Sequence, residues 1–399
     1  MRDKRRQALQ FVLLVGIMSF FADFVYEGAR GIAGPFLAVL GASGAIVGTA
    51  SGFGELAGYG FRLFSGPLAD RTKAYWPITI TGYVIQMLAV PALALARSWP
   101  AAVALLVLER IGRATRNPPR DVMLSHAGGE MGGYGWAFGL HEGLDQFGAL
   151  VGPLIMALVL TGSADYRLAF SVLAIPALCT LTLLVIARVL YPRPEQMESQ
   201  RHVNAQGALP RTFWVYFAGA ALVAAGFADF PLIAFHFHQA AFIGDATIPV
   251  FYAVAMGTGG AGSLVFGRMF DRGGIKVLAP LTLVSAAYAP LALLGGRWIA
   301  LWGVAIWGLG MGVHESIMAA AIAPLVASNR RATAYGVFTA GYGVFWFLGS
   351  ALLGWLYDHS IGATVAAAVA LELAAIPFFL VADRLTKKQS PGDITGAGT

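Results

Sequence analysis

The chain has 399 residues, 57% of them hydrophobic and 12% charged, with a formal net charge of +6. Soluble globular proteins carry roughly 25% charged residues, so this composition excludes a single soluble core, and it excludes a disordered chain, which needs low hydrophobicity and high charge. A basic balance can suit nucleic acid, yet here the positive residues cluster in short stretches between apolar runs, the pattern of membrane topology.

A membrane span takes about 20 mainly apolar residues, because a helix rises about 1.5 Å per residue and the hydrocarbon core is about 30 Å thick. The first apolar run, 11–39, follows the basic stretch Arg2-Asp3-Lys4-Arg5-Arg6. It is too long for the apolar region of a cleaved signal peptide and it contains acids, so it is read as an uncleaved first span. Further spans are predicted near 43–65, 75–96, 99–122, 134–161 and 166–190. The polar stretch 191–211, with Pro192, Pro194, Glu195, Glu198 and Arg201, is expected to be a cytoplasmic linker. Spans then follow near 212–238, 246–269, 275–295, 298–327, 331–357 and 360–383, with a polar cytoplasmic tail at 384–399. The single cysteine, Cys179, permits no intramolecular disulfide and no cysteine metal cluster.

Orientation follows from lysine and arginine. Among 27 such residues, only Arg97, Arg167 and Arg297 fall in loops on one side, and Arg30, Arg62 and Arg110 fall within spans. The rest gather at the other side, Arg113, Arg116 and Arg120 included, where they are expected to meet anionic headgroups. Both termini are therefore expected in the cytoplasm. The two halves also repeat each other. Phe21-Ala22-Asp23-Phe24 returns as Phe227-Ala228-Asp229-Phe230, and Gly66-Pro67-Leu68-Ala69-Asp70-Arg71 has a counterpart in Gly267-Arg268-Met269-Phe270-Asp271-Arg272. Tyr134-Gly135-Trp136-Ala137-Phe138 likewise returns as Tyr335-Gly336-Val337-Phe338. The expected fold is an all-α integral membrane protein of twelve helices in two six-helix bundles, 1–190 and 212–383. Parallel repeats of this kind are an alternating-access architecture.

On these residues the chain resembles the major facilitator superfamily. The loop carrying Gly66, Leu68, Asp70 and Arg71 is similar to that superfamily's best-known motif, although only Lys73 stands for the basic residues that usually follow. The resemblance implies that Asp70 and Arg71, with Asp271 and Arg272 in the second copy, latch the two halves during the transport cycle. In the fifth span, Gly148, Gly152 and Pro153 resemble the core of the motif common in proton antiporters of the superfamily, without its trailing small pair. Arg110 resembles the arginine of the fourth span in those antiporters, which implies a role in proton transfer.

A charge at the bilayer centre costs at least ~2.5–3.5 kcal/mol on insertion scales, so intramembrane ionisable groups face the bundle interior and mark function. The predicted spans hold the acids Asp23, Glu27, Glu55, Glu109, Glu142, Asp145, Asp229, Glu315 and Glu372 against Arg30, Arg62 and Arg110. Acids in such excess are expected to include unpaired carboxylates able to carry a proton. Asp23, Glu27 and Arg30 share one helical face with Tyr26 beside them; Asp23 has no base one turn away on its own helix, whereas a Glu27–Arg30 bridge is the structural alternative. Glu109 reaches Arg113 one turn on. His141 and Asp145 share a face with Gly148 and Gly152 and form a candidate proton relay. His141-Glu142 and His314-Glu315 begin a zinc-protease-like pattern, but Asp145 and Met318 stand where the second histidine belongs, so no enzyme activity is expected. His141, His236 and His314 with Met311 and Met318 leave a transported metal open. Phe20, Phe24, Tyr59, Phe138, Phe230, Trp307 and Trp346 are the aromatics that would line the path of a hydrophobic cation.

The sequence thus points to a secondary transporter of a small solute in the inner or plasma membrane. It is expected to act as a monomer, without cofactor and driven by the proton gradient, with export by antiport ahead of uptake by symport. The substrate and the proton are its expected partners, together with the lipid bilayer. A non-transporting receptor on the same fold is the alternative from another class.

Overall fold

Within hydrocarbon no water satisfies backbone N–H and C=O groups, so apolar runs of this length close their hydrogen bonds internally as helices. The computed structural model describes residues 2–130, 134–192, 209–322, 325–326 and 331–389. Among these it has helices and no strand. In chain order they are α1 (Arg2–Val39), α2 (Gly44–Thr72), α3 (Tyr75–Ala92), α4 (Trp99–Glu130), α5 (Tyr134–Ser163), α6 (Tyr166–Val172), α7 (Ala174–Leu190), α8 (Arg211–Gly226), α9 (Phe230–Ala240), α10 (Ile248–Gly273), α11 (Leu278–Ser285), α12 (Tyr288–Leu294), α13 (Arg297–Ala320), α14 (Arg331–His359) and α15 (Ile361–Gln389). Each predicted span coincides with one helix or with a consecutive pair: α6 with α7, α8 with α9, α11 with α12.

Among the described residues, nine helical stretches are long and apolar enough to cross a membrane. α2, α4 and α13 fall outside that group. In α2 and α4 the reason is visible in the sequence, since Glu55 and Arg62, and Glu109 to Arg120, interrupt their apolar runs.

The broken span formed by α8 and α9 has a local cause. Gly226 ends α8, Asp229 caps α9 by accepting from Phe230 N, and Pro231 occupies its first turn. A proline there has no N–H to lose. The break frees backbone groups that lipid could not satisfy, and two buried side chains take them. The Tyr288 hydroxyl donates to Gly226 O at 2.9 Å and accepts from Ala228 N at 2.6 Å. Trp307 Nε1 donates to Ala228 O at 2.8 Å. The corresponding tract in α1, Phe21 to Phe24, runs through an unbroken helix.

Small residues set the closest contacts. α1 packs along α5, where a Cβ on Gly148 or Gly152 would collide with the Phe20 or Phe24 carbonyl. α2 packs along α14, and there Gly48 and Gly354 let the two backbones touch. Between the first and second halves of the chain, the contacts join α1 to α9 and α10, α2 to α14 and α9, and α5 to α10. Those of α1 and α2 include the end at the 40–43 turn, the far end of the bundle as seen from the N-terminus, where Gly34 meets Pro231 and Gly44 meets Tyr357, and the α2–α14 contact continues along the helices to Tyr59 and Gly343. The expected linker core at 193–208 and the end of the tail, 390–399, lie outside the described residues.

Candidate functional site

The charged side chains of α1, α2 and α4 converge because their helices place them on the inward faces. Asp23, Glu27 and Arg30 are all buried on α1. They line, with Glu55 and Arg62 of α2 and Arg110, Arg113 and Arg120 of α4, a cavity of about 590 Å³. The opposite wall comes from the second half: Met256 and Gly260 of α10, Met311, His314 and Met318 of α13, and Phe338, Tyr342 and Trp346 of α14. Small-molecule sites span ~300–1,000 Å³, so this is a volume for a solute.

Two contacts close its far end across the halves. Arg30 Nη2 donates to Asp229 Oδ1, at the cap of α9, and the Tyr252 hydroxyl donates to Glu27 Oε2. Beyond them Asp358, near the end of α14, accepts from Gly44 N at 2.7 Å and Ala45 N at 2.9 Å, capping α2 from the other half. His236 and the Tyr357 hydroxyl share a hydrogen bond of 2.9 Å at the same end. From this seal the lining steps along α2, α4 and α14 towards the end that holds the N-terminus.

The charges form a chain of pairs. Glu55 sits 2.8 Å from Arg110 and 3.5 Å from Arg30. Asp23 lies 3.5 Å from Arg116 and 3.8 Å from Arg113. Arg116, fully buried, donates to Gln86 at 2.6 Å and Tyr83 at 2.9 Å, and Gln86 donates to Glu109 at 2.8 Å. Tyr26 is ringed by cations: Arg30 and Arg110 both donate to its hydroxyl, and the Arg113 guanidinium lies 4.1 Å from its ring centre. His141 shares a 2.9 Å hydrogen bond with Ser19 and lies 3.5 Å from Asp145.

The site is thus a polar cavity between the two halves of a helical bundle, closed at one end by an ion pair and a hydrogen bond. The profile of the Major Facilitator Superfamily matches residues 15–323. The chain belongs to this superfamily. It is 43% identical over 377 residues to the uncharacterized protein Rv2265 of Mycobacterium tuberculosis, covering 92% of each chain. It is 22% identical to an uncharacterized MFS-type transporter of Methanocaldococcus jannaschii, over 90% of this chain and 91% of that one. Among solved structures, the nucleoside transporter NupG aligns with a TM-score of 0.73 at 14% identity, over 95% of this chain and 99% of the other. A bacterial homologue of the lysosomal transporter Spinster, in an inward-facing and unoccupied conformation, aligns with a TM-score of 0.70 at 16% identity, over 97% and 98%. These two likenesses fix the fold; with the family match they make the chain a multi-pass membrane protein of a transporter superfamily.

Several expectations for the superfamily's charged residues change on the structure. The excess of acids narrows, from nine against three to nine against six, because Arg113, Arg116 and Arg120 turn into the bundle and do not reach for headgroups, while Glu372 stays buried with no base within ion-pair distance among the described residues. Asp23 therefore has its bases on α4, where helix periodicity within α1 could not reveal them. Arg30 pairs with Asp229 and Glu55 and not with Glu27. Glu109 is held by Gln86 and lies 3.7 Å from Arg110, in place of a contact to Arg113. Asp229 and His236 sit at the seal. The structure does not bring His141, His236 and His314 together; among the described residues no group of three metal-ligating side chains forms.

Tyr59 and Trp346 line the cavity, whereas Phe230 and Trp307 pack with Tyr252 behind it. Gly148 and Gly152 hold α5 against α1 within the first half, with Pro153 beside Gly31. Arg71 is exposed at the end of α2 and Arg272 at the end of α10. The side chains of Asp70, Asp271, Glu142, Glu315 and Phe138, and the surroundings of Gly66, lie outside the described residues. Asp358 was missed because it lies at a predicted helix end. Its signal was a carboxylate available to cap a neighbouring helix. Glu372 is completely buried on α15, beside the break at Gly226, and does not line the cavity.

Proposed function

We propose that this protein is a proton-coupled secondary transporter that carries a small polar solute through the central cavity by alternating access. The observation that carries the reading is the cavity itself, about 590 Å³ of charged and aromatic lining, sealed at the far end by Arg30–Asp229 and Tyr252–Glu27. Both contacts join the first half of the chain to the second, so opening the far end must break them. A carboxylate that accepts a proton loses its hold on a guanidinium or changes its hydrogen bonding to a tyrosine. Protonation at Glu27 is thus a direct route from the proton gradient to the seal.

With both termini in the cytoplasm, as the distribution of lysine and arginine supports, the cavity faces inward. Twelve spans, a monomer and the inner or plasma membrane complete the reading. Export by antiport comes first, on the Gly148–Gly152–Pro153 tract; uptake of a polar or charged metabolite by symport is second, on the density of charge in the cavity. The test uses proteoliposomes with a trapped pH dye, an imposed proton gradient and a panel of solutes, wild type beside Glu27→Gln. A solute that provokes proton flux in wild type and not in the variant supports coupling. A solute that equilibrates without moving protons overturns it.

A further inference from the structure

The two walls of the cavity differ in what they leave unsatisfied. On the first-half wall, Arg62 has no carboxylate within ion-pair distance among the described residues, and its Nε and that of Arg113 find no hydrogen-bond partner there. Among the described residues, the one carboxylate within ion-pair distance of Arg113 is Asp23, at 3.8 Å, and that carboxylate is shared with Arg116. On the second-half wall, His314 Nδ1, the Tyr342 hydroxyl and Trp346 Nε1 are buried and equally without partners among the described residues. These three rings form one cluster, with centroids 5.5 to 6.1 Å apart. Tyr59 joins the walls: the Arg62 guanidinium lies 5.6 Å from its ring centre and the Tyr342 ring 6.2 Å from it.

Buried polar atoms are ordinarily satisfied, and leaving them bare is costly. Five such atoms on two facing walls describe a ligand. Resting on the transporter reading, we propose that the substrate is a small organic anion with an aromatic or heteroaromatic body. Its carboxylate, phosphate or sulfonate group binds Arg62 and Arg113, whose planar forks suit such oxygens. Its body lies along Tyr59, Tyr342 and Trp346, offering polar atoms to the Trp346 N–H, the Tyr342 hydroxyl and His314. A cation is disfavoured at this position because it would face the guanidinium groups of Arg62 and Arg113 together.

The test is ligand-detected NMR and thermal shift on the purified, detergent-solubilised full chain with four probes: benzoate, acetate, benzamide and benzylammonium. Benzoate should bind most tightly, since it alone combines acid and ring. Arg62→Gln should weaken benzoate about tenfold, and Arg62→Lys should recover part of the loss, keeping the charge without the fork. Arg113→Gln provides a second test should Arg62→Gln fail to fold. Trp346→Phe should weaken benzoate and leave acetate unchanged. Tighter binding of benzamide or benzylammonium, no binding of benzoate, or insensitivity of benzoate to both arginine variants overturns the proposal. In proteoliposomes, a solute carried as a cation or a neutral molecule overturns it while leaving the transporter reading intact. Failure of every solute to cross overturns the reading beneath it.

Discussion

The two walls of the cavity are built on opposite principles. The wall from α1, α2 and α4 is a lattice of guanidinium and carboxylate groups, in which Glu55, Asp23 and Tyr26 each serve more than one arginine. The wall from α13 and α14 is aromatic, with His314, Tyr342 and Trp346 in mutual contact. Desolvated charges stay buried only if they are paired, so removing one member of the first wall exposes the rest. Removing a ring from the second wall loses contact area and a polar tip but uncovers no charge. On the proposed function, the first wall senses protons and anchors charge, and the second shapes what fits.

The largest effect should come from Arg30→Ala, which strips Asp229 of its partner and Tyr26 of a donor. We expect a loss of about 3–5 kcal/mol, the scale for breaking a buried pair, read as thermal unfolding in detergent. Adding Asp229→Asn should restore part of it, because the orphaned charge goes with it. Next is Tyr288→Phe. Its hydroxyl satisfies two backbone groups at the break between α8 and α9, and about 1–3 kcal/mol should be lost. The same substitution in the first half has no equivalent, since α1 is unbroken.

A sharper contrast follows from Trp346→Phe and Glu27→Gln. The ring variant should lower solute affinity by about 1 kcal/mol and leave the pH dependence of transport unchanged. The carboxylate variant should flatten the pH dependence and leave affinity nearly intact. Identical effects from both would erase the division between the walls. The smallest expected effect is that of Asp358→Ala, which removes the cap on α2. About 1 kcal/mol should shift the equilibrium towards an open far end, raising the reactivity of a cysteine placed at Ala45 in a Cys179→Ser background.

The helices were legible because apolar runs of span length leave the backbone one solution, the duplication was legible in repeated tracts such as Phe21–Phe24 and Phe227–Phe230, and the family in the loop of Gly66, Leu68, Asp70 and Arg71. Much of the site was legible too: Asp23, Glu27, Arg30, Glu55, Arg110, Asp145 and His314 all line the cavity. The arginines at 113, 116 and 120 were not. A basic residue near the inner end of a span reads as a topology signal, and only the packing of Tyr83 and Gln86 from α3 turns Arg116 inwards. The break in the seventh predicted span was written in Gly226, Asp229 and Pro231, a stop, a cap and a first-turn proline. It was overlooked because hydropathy runs through it without interruption.

The central claim, that the far-end seal and the near-end opening are one equilibrium, is tested most directly by paired distance measurements between spin labels. In a Cys179→Ser background, one pair would sit at the exposed Val39 and at Ser360 at the far end, and another at Thr72 and Lys387 at the near end. Wild type should show the far pair close and the near pair apart. Arg30→Gln should lengthen the far pair and shorten the near pair together. If the two distributions move independently, or the far pair stays closed when Arg30 no longer holds Asp229, the seal is not the gate and the account of alternating access through this cavity fails.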